Sequence, residues 1–206
     1  MKNYLAIDTS GEYLTVLACR AGEVTARFEQ NCAMRHSERL MAAVDEALSR
    51  ARLPLRDCDF FCAVTGPGSF TGIRIGISAV KGFCAALGRP ALGITSLAVA
   101  AYNAEEKAVA AIPAGRGFYY VCGYEADKRV FLPAARIDEA ALRALATRLP
   151  VYSCSPLPVP YALADPAEGL RRAVAAAGEE DFGPLSAFYL KKSQAEEERE
   201  AREAKG

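Results

Sequence analysis

Asp8, Thr9 and Ser10 stand in a row at the end of the apolar run NYLAIDT, just before a tight turn. A carboxylate with two hydroxyls at a strand end can hold a hydrated Mg²⁺ or a phosphate. The same residue types also cap turns with their own side chains. The segment GPGSFTGIRIG, residues 66–76, is the second place for chemistry. Gly66 and Gly68 let the backbone turn, Ser69 and Thr71 can cap a helix, and free amides at a helix start suit an anion. No GK[ST] follows, so this is not a Walker loop. A tight strand-to-helix connection needs such glycines in any case. Gly72 and Gly76 continue as a small-residue helix face that lets another helix, of this chain or of a partner, approach closely.

Composition excludes other chemistries. His36 is the single histidine, which removes HExxH and HxxxH metal sites and leaves one candidate base for a Ser-His-Asp triad. It lies before a helix, beside Arg35 and Arg39, and reads as exposed. The 25 basic residues match the 25 acidic ones, against an autonomous grip on a phosphate backbone. The seven cysteines include no CxxC pair and sit mostly in apolar runs, as buried free thiols do. No signal-peptide pattern and no stretch near 20 apolar residues stand out, so a cytoplasmic protein with no membrane contact is expected.

The elements that must position these residues follow from periodicity. Residues 3–9, 13–20 and 23–30 read as an antiparallel meander, and Ser37 caps a helix to Arg50 carrying Leu40, Met41, Val44 and Leu48. Strand 59–65 precedes the Gly-rich loop and a helix 71–87, stopped by Gly88. Strand ALGIT follows, and Ser96 caps a short helix. The order β-β-β-α-β-α-β-α is a mixed sheet covered by helices. Residues 107–112, 118–124 and 129–132 as strands, helix 138–148, strand 150–154, a Pro-rich stretch and helix 166–177 echo it in shortened form. The expected organisation is a lobe over 1–103, a reduced lobe over 104–190, and a charged tail over 191–206, frayed or disordered.

LAIDTS, MRHSERLM and especially VTGPGSFTGIRIGISAVKGFCAALGRPALGITSLAVAA resemble the bacterial tRNA threonylcarbamoyladenosine biosynthesis family TsaB, also called YeaZ. The likeness runs through residues 4–101 and is most specific at 62–99. IPAGRGFYYVCGY and the closing FYLKKSQAE extend it more weakly. It implies an α/β fold of two actin-, sugar-kinase- and Hsp70-like (ribonuclease H-like) lobes, the second reduced. It also implies a non-catalytic subunit with no metal of its own. Its partners would be a TsaD-like catalytic paralogue that transfers threonylcarbamoyl to an adenosine beside the anticodon and a TsaE-like ATPase. tRNA would be met only through the complex, and the subunit alone would form a homodimer. Carried over by position, the partner interface comprises His36, Ser37, Leu40, Val44, Gly72, Ile73, Gly76 and Val80. Asp8, Thr9, Ser10, Gly66, Gly68 and Ser69 form a remnant phosphate site for ATP or ADP with Mg²⁺. The alternative is a small ATPase or kinase that uses this site. Where the family has Asp-Ala-Arg-x-Gly-Glu, this chain has Pro113 to Phe118, without either carboxylate. The second lobe therefore lacks the acidic groups that bind Mg²⁺ or orient water in an intact ATPase.

Overall fold

A computed structural model describes residues 2–190 of the chain. The expectation for the charged tail at 191–206 lies outside the described residues. Strands β1 (Tyr4–Asp8), β2 (Leu14–Arg20), β3 (Glu23–Glu29), β4 (Phe60–Val64) and β5 (Ala91–Ile94) form one sheet in the order β3-β2-β1-β4-β5. The first three are antiparallel; β1, β4 and β5 run parallel. The second sheet contains β6 (Ala108–Gly115), β7 (Phe118–Tyr124), β8 (Val130–Asp138), β9 (Val151–Ser153) and β10 (Ala162–Leu163). Its order, β8-β7-β6-β9-β10, repeats the first sheet strand for strand, with the same parallel and antiparallel pairs. The duplication inferred from element order is thus present in topology, as a two-lobed actin-like fold requires.

Helices α1 (His36–Arg50), α2 (Phe70–Leu87), α3 (Ser96–Ala101), α4 (Glu139–Ala146) and α5 (Pro166–Ala176) cover the sheets. Successive side chains of β1 point to opposite faces. Leu5 and Ile7 meet Leu40, Val44 and Ala47 of α1 and Ile73, Ile77 and Val80 of α2. Tyr4 and Ala6 meet the other core, with Val99 of α3 and Leu170, Ala173 and Val174 of α5. Both faces of β1 are covered, which explains why NYLAIDT reads as a continuous apolar run. Because α5 belongs to the second half of the chain yet packs on the first sheet, the lobes share a core.

Capping differs in detail from the sequence reading. Ser37 does not cap α1: the helix begins one residue earlier, and its N-cap Arg35 makes no side-chain cap bond. Thr95, not Ser96, caps α3 by accepting from Ala98 N. Ser69 caps α2 through Gly72 N, and Thr71 lies inside the helix. Gly88 ends α2 with φ +63°, a left-handed conformation that glycine adopts without cost. β8 is longer than the expected 129–132 despite Pro133. It is an edge strand, where a proline costs no ladder bond, and its register against β7 shifts between Val121 and Gly123. Against the expectation from hydropathy, α2 is long and apolar enough by length and composition to cross a membrane. Its Gly72, Ile73, Gly76, Ile77 and Val80 are buried against the first sheet.

Candidate functional site

The turn after β1 folds back on its own carboxylate. Ser10 donates its backbone N–H (2.8 Å) and its hydroxyl (2.6 Å) to Asp8 Oδ1, and the Tyr13 hydroxyl donates to Oδ2 at 3.2 Å. Ser96 Oγ reaches Ser10 Oγ at 2.9 Å from the start of α3. Asp8 is 0% exposed, and Thr9 and Ser10 are buried with it. The Cys154 thiol, from the loop after β9, lies near the Tyr13 phenol and Asp8, so the second half of the chain helps close the site. Burial drives the Asp8 carboxyl above its ordinary range; the bonds from Ser10 and Tyr13 and the nearby His36 offset this in part. Burial likewise pushes the Cys154 thiol up to about 12.

The Gly-rich loop closes over the same turn. Ser69 N–H donates to Ser10 O at 2.7 Å, and Ser96 N–H to Gly66 O at 2.8 Å. A side chain at Gly68 would run into Ser10 O. Thr9 Oγ1 donates to Gly72 O at 2.7 Å, lying across α2 where it passes β1. Cβ atoms at Gly72 and Gly76 would meet Thr9 O and Thr9 Oγ1. The small-residue face therefore receives a strand end, not a helix. The structure does bring Asp8, Thr9, Ser10, Gly66, Gly68 and Ser69 together. Their donors and acceptors are largely spent on one another. A Mg²⁺ beside Asp8 would have to displace Ser10 or Tyr13, so the closed geometry does not fit a metal-bound nucleotide.

Most of the expected interface lies elsewhere than on the surface. Leu40, Val44, Gly72, Ile73, Gly76 and Val80 are buried in the first lobe. Leu40, Val44, Ile73 and Val80 pack with the apolar residues of β1, β2 and β4. His36 is 1% exposed, not a surface group; its Nε2 lies 2.9 Å from Tyr13 O, and its buried Nδ1 has no hydrogen-bond partner among the described residues. Of the eight residues, Ser37 alone is exposed. On the outward face of the same helix pair, Ser37 and Leu40 join Met41 (50% exposed), Phe70, Arg74 and Ile75 around a shallow groove of about 540 Å³. Seven of the eight residues are thus core positions of this chain, because the α1 and α2 apolar positions span more than one stripe.

It also missed a strap. From Phe182 the chain crosses the open end of the first sheet. Gly183 N–H donates to Ala91 O at 3.0 Å and Phe188 N–H to Thr65 O at 2.8 Å. Leu185 enters the core, and Phe182 meets Phe60 edge-on at 5.0 Å. Tyr189 stacks on Phe70 at 5.0 Å. Among the described residues no three or more His, Cys, Asp or Glu are grouped to hold a metal ion.

The family model described as TsaD, tRNA N6-adenosine threonylcarbamoyltransferase, matches residues 29–145, more than half of the chain. Proteins named tRNA threonylcarbamoyladenosine biosynthesis protein TsaB match as well. The one from Escherichia coli is 35% identical over 60% of this chain and 55% of its own length. The one from Bacillus subtilis is 34% identical over 48% and 43%. A solved structure titled YeaZ from Pseudomonas aeruginosa superposes with TM-score 0.73 at 28% identity, covering 85% of this chain and 91% of that one. The chain belongs to the TsaB (YeaZ) branch of this family. It spans about half the length of the curated relatives it matches. A second solved structure, an uncharacterized Pseudomonas aeruginosa protein described as similar to peptidase YeaZ, covers 93% of this chain and all of that one (TM-score 0.77, 26% identity). The family's fold and the closed Gly-rich loop are therefore both on the same chain. At the family's acidic segment, Pro113 pairs with Tyr119, and Phe118 lies 3.5 Å beneath the Arg136 guanidinium.

Proposed function

We propose that this chain is a non-catalytic subunit of the machinery that forms threonylcarbamoyladenosine on tRNA, and that it docks a TsaD-like catalytic paralogue. The observation that carries the docking reading is the outward α1–α2 face. Met41 and Phe70 stand exposed there beside a groove that no described segment of the chain fills. Apolar side chains gathered in one exposed patch mark a contact surface. The names of the relatives, which refer to threonylcarbamoyladenosine biosynthesis, support a partner from the same machinery. The subunit acts in the cytoplasm, meets tRNA through the assembled complex, works beside a TsaE-like ATPase, and pairs with itself through the same face when the paralogue is absent.

Lack of catalysis is argued from the closed turn. Asp8 is enclosed by Ser10, Tyr13 and Cys154, and the β6–β7 hairpin offers Pro113 and Phe118 where a carboxylate would be needed. A remnant nucleotide site would have to open this network. The test is a modification assay on tRNA with the catalytic paralogue, the ATPase and the threonylcarbamoyl donor, run with and without this chain. Modification should need the chain and survive Asp8→Asn within about twofold. Full modification in its absence would overturn the reading. Micromolar binding of MgATP, abolished by Asp8→Asn, would favour an ATPase.

A further inference from the structure

Arg74 leaves α2 beside the groove and does not point freely into solvent. Its guanidinium carbon lies 3.7 Å from the Phe70 ring centroid and 5.9 Å from that of Tyr189, and its Nε donates to the Tyr189 hydroxyl at 3.1 Å. The two rings themselves stack at 28°. One N–H is thus committed, the guanidinium is held against a ring, and the remaining donors have no acceptor among the described residues. No carboxylate of the described chain lies within ion-pairing distance, whereas Arg27, Arg39, Arg143, Arg171 and Arg172 each have one. A planar guanidinium with its rotamer already fixed is suited to a bidentate carboxylate.

We propose that Arg74 is the charged anchor of the α1–α2 face: it receives a carboxylate of the docking subunit, and Tyr189 of the strap is its positioning residue. This rests on the docking reading above and adds the chemistry that the partner must present: a carboxylate set within an apolar patch that covers Met41 and Ile75. A protein carboxylate is favoured over an RNA phosphate because the groove around Arg74 is apolar and Glu38 and Asp45 are exposed on α1; a phosphate backbone is held by clustered cations.

The experiment is a titration of the catalytic paralogue with the intact chain and with Arg74→Gln, Arg74→Lys, Tyr189→Phe and Met41→Arg, at two salt concentrations. Arg74→Gln should weaken Kd at least about tenfold and flatten its salt dependence, because a desolvated, hydrogen-bonded charge pair is lost. Arg74→Lys should weaken it nearly as far, since an ammonium cannot form the fork. Tyr189→Phe keeps the stack, loses the acceptor, and should weaken it about threefold with the salt slope retained. All four should melt within a few degrees of the parent. If Met41→Arg abolishes binding while Arg74→Gln stays within twofold, the anchor is wrong and the docking face stands. If the parent chain does not bind the paralogue, both fall. Loss of tRNA retention by the complex in Arg74→Gln, with Kd for the paralogue unchanged, would make Arg74 a phosphate contact and overturn the proposal.

Discussion

Asp8 ends β1, and its carboxylate oxygens accept from Ser10 and Tyr13 with no solvent contact. Asp8→Ala should cost about 1–3 kcal/mol, because the Ser10 N–H and hydroxyl are left buried without an acceptor. Asp8→Asn keeps an acceptor for Ser10 and removes the buried charge. The sign of its pH dependence follows from the upward displacement of the Asp8 carboxyl. Stability from this group is complete below the ordinary carboxylate range and is lost as pH rises through the raised native value. Urea unfolding from pH 4 to pH 8 should therefore show Asp8→Asn gaining on the parent as pH rises. A constant difference would mean that the native carboxyl titrates normally. The proximity of Asp8 to the Gly-rich loop was legible in the sequence, because a strand end and a strand-to-helix loop meet at the carboxyl edge of a sheet. Its closure was not. It depends on Tyr13 and Cys154, contributed by the hairpin and by the second half of the chain, and no local pattern joins them.

The helices show a different limit of sequence reading. Periodicity located α1 and α2 to within two residues, and Gly88 fixed where α2 ends. Apolar spacing did not say which stripe meets the sheet and which meets solvent. Val44→Arg, which would disrupt only association if Val44 were on the surface, should instead unfold the lobe, because Val44 is 1% exposed in the core. Met41→Arg should leave the melting temperature nearly unchanged, and far-UV circular dichroism with thermal melts separates the two. Gly72→Ala is a sharper test. Alanine favours an exposed helix interior by about 1 kcal/mol over glycine. Here its Cβ would collide with Thr9 O, so a net loss of roughly 1–3 kcal/mol is expected in denaturant unfolding. A stabilised Gly72→Ala variant would show that Thr9 does not hold the helix against β1.

At the scale of the whole molecule, two copies of one topology share a core through α5 and are tied by the strap from Phe182 to Leu190. The strap lacks regular structure, which explains why no periodicity announced it, although its aromatic residues at Phe182, Phe188 and Tyr189 are prominent in the sequence. Leu185→Ala should cost about 2–5 kcal/mol if the strap is part of the first lobe's core, as the burial of Leu185 implies. A change below 0.5 kcal/mol in denaturant unfolding would make the strap a surface appendage. The repeated sheet order could be read as duplication because both halves run β-β-β-α-β, although a Pro-rich stretch stands where the first half has α2. The proposed docking role rests on the outward α1–α2 face, where Met41 and Phe70 are exposed beside the groove. The most direct test is the binding isotherm of the catalytic TsaD-like paralogue with this chain and with Met41→Arg. A saturable complex with the parent chain, weakened at least about tenfold by Met41→Arg at unchanged thermal stability, is the expected result. Equal binding by the two, or no complex with the parent chain, would contradict it.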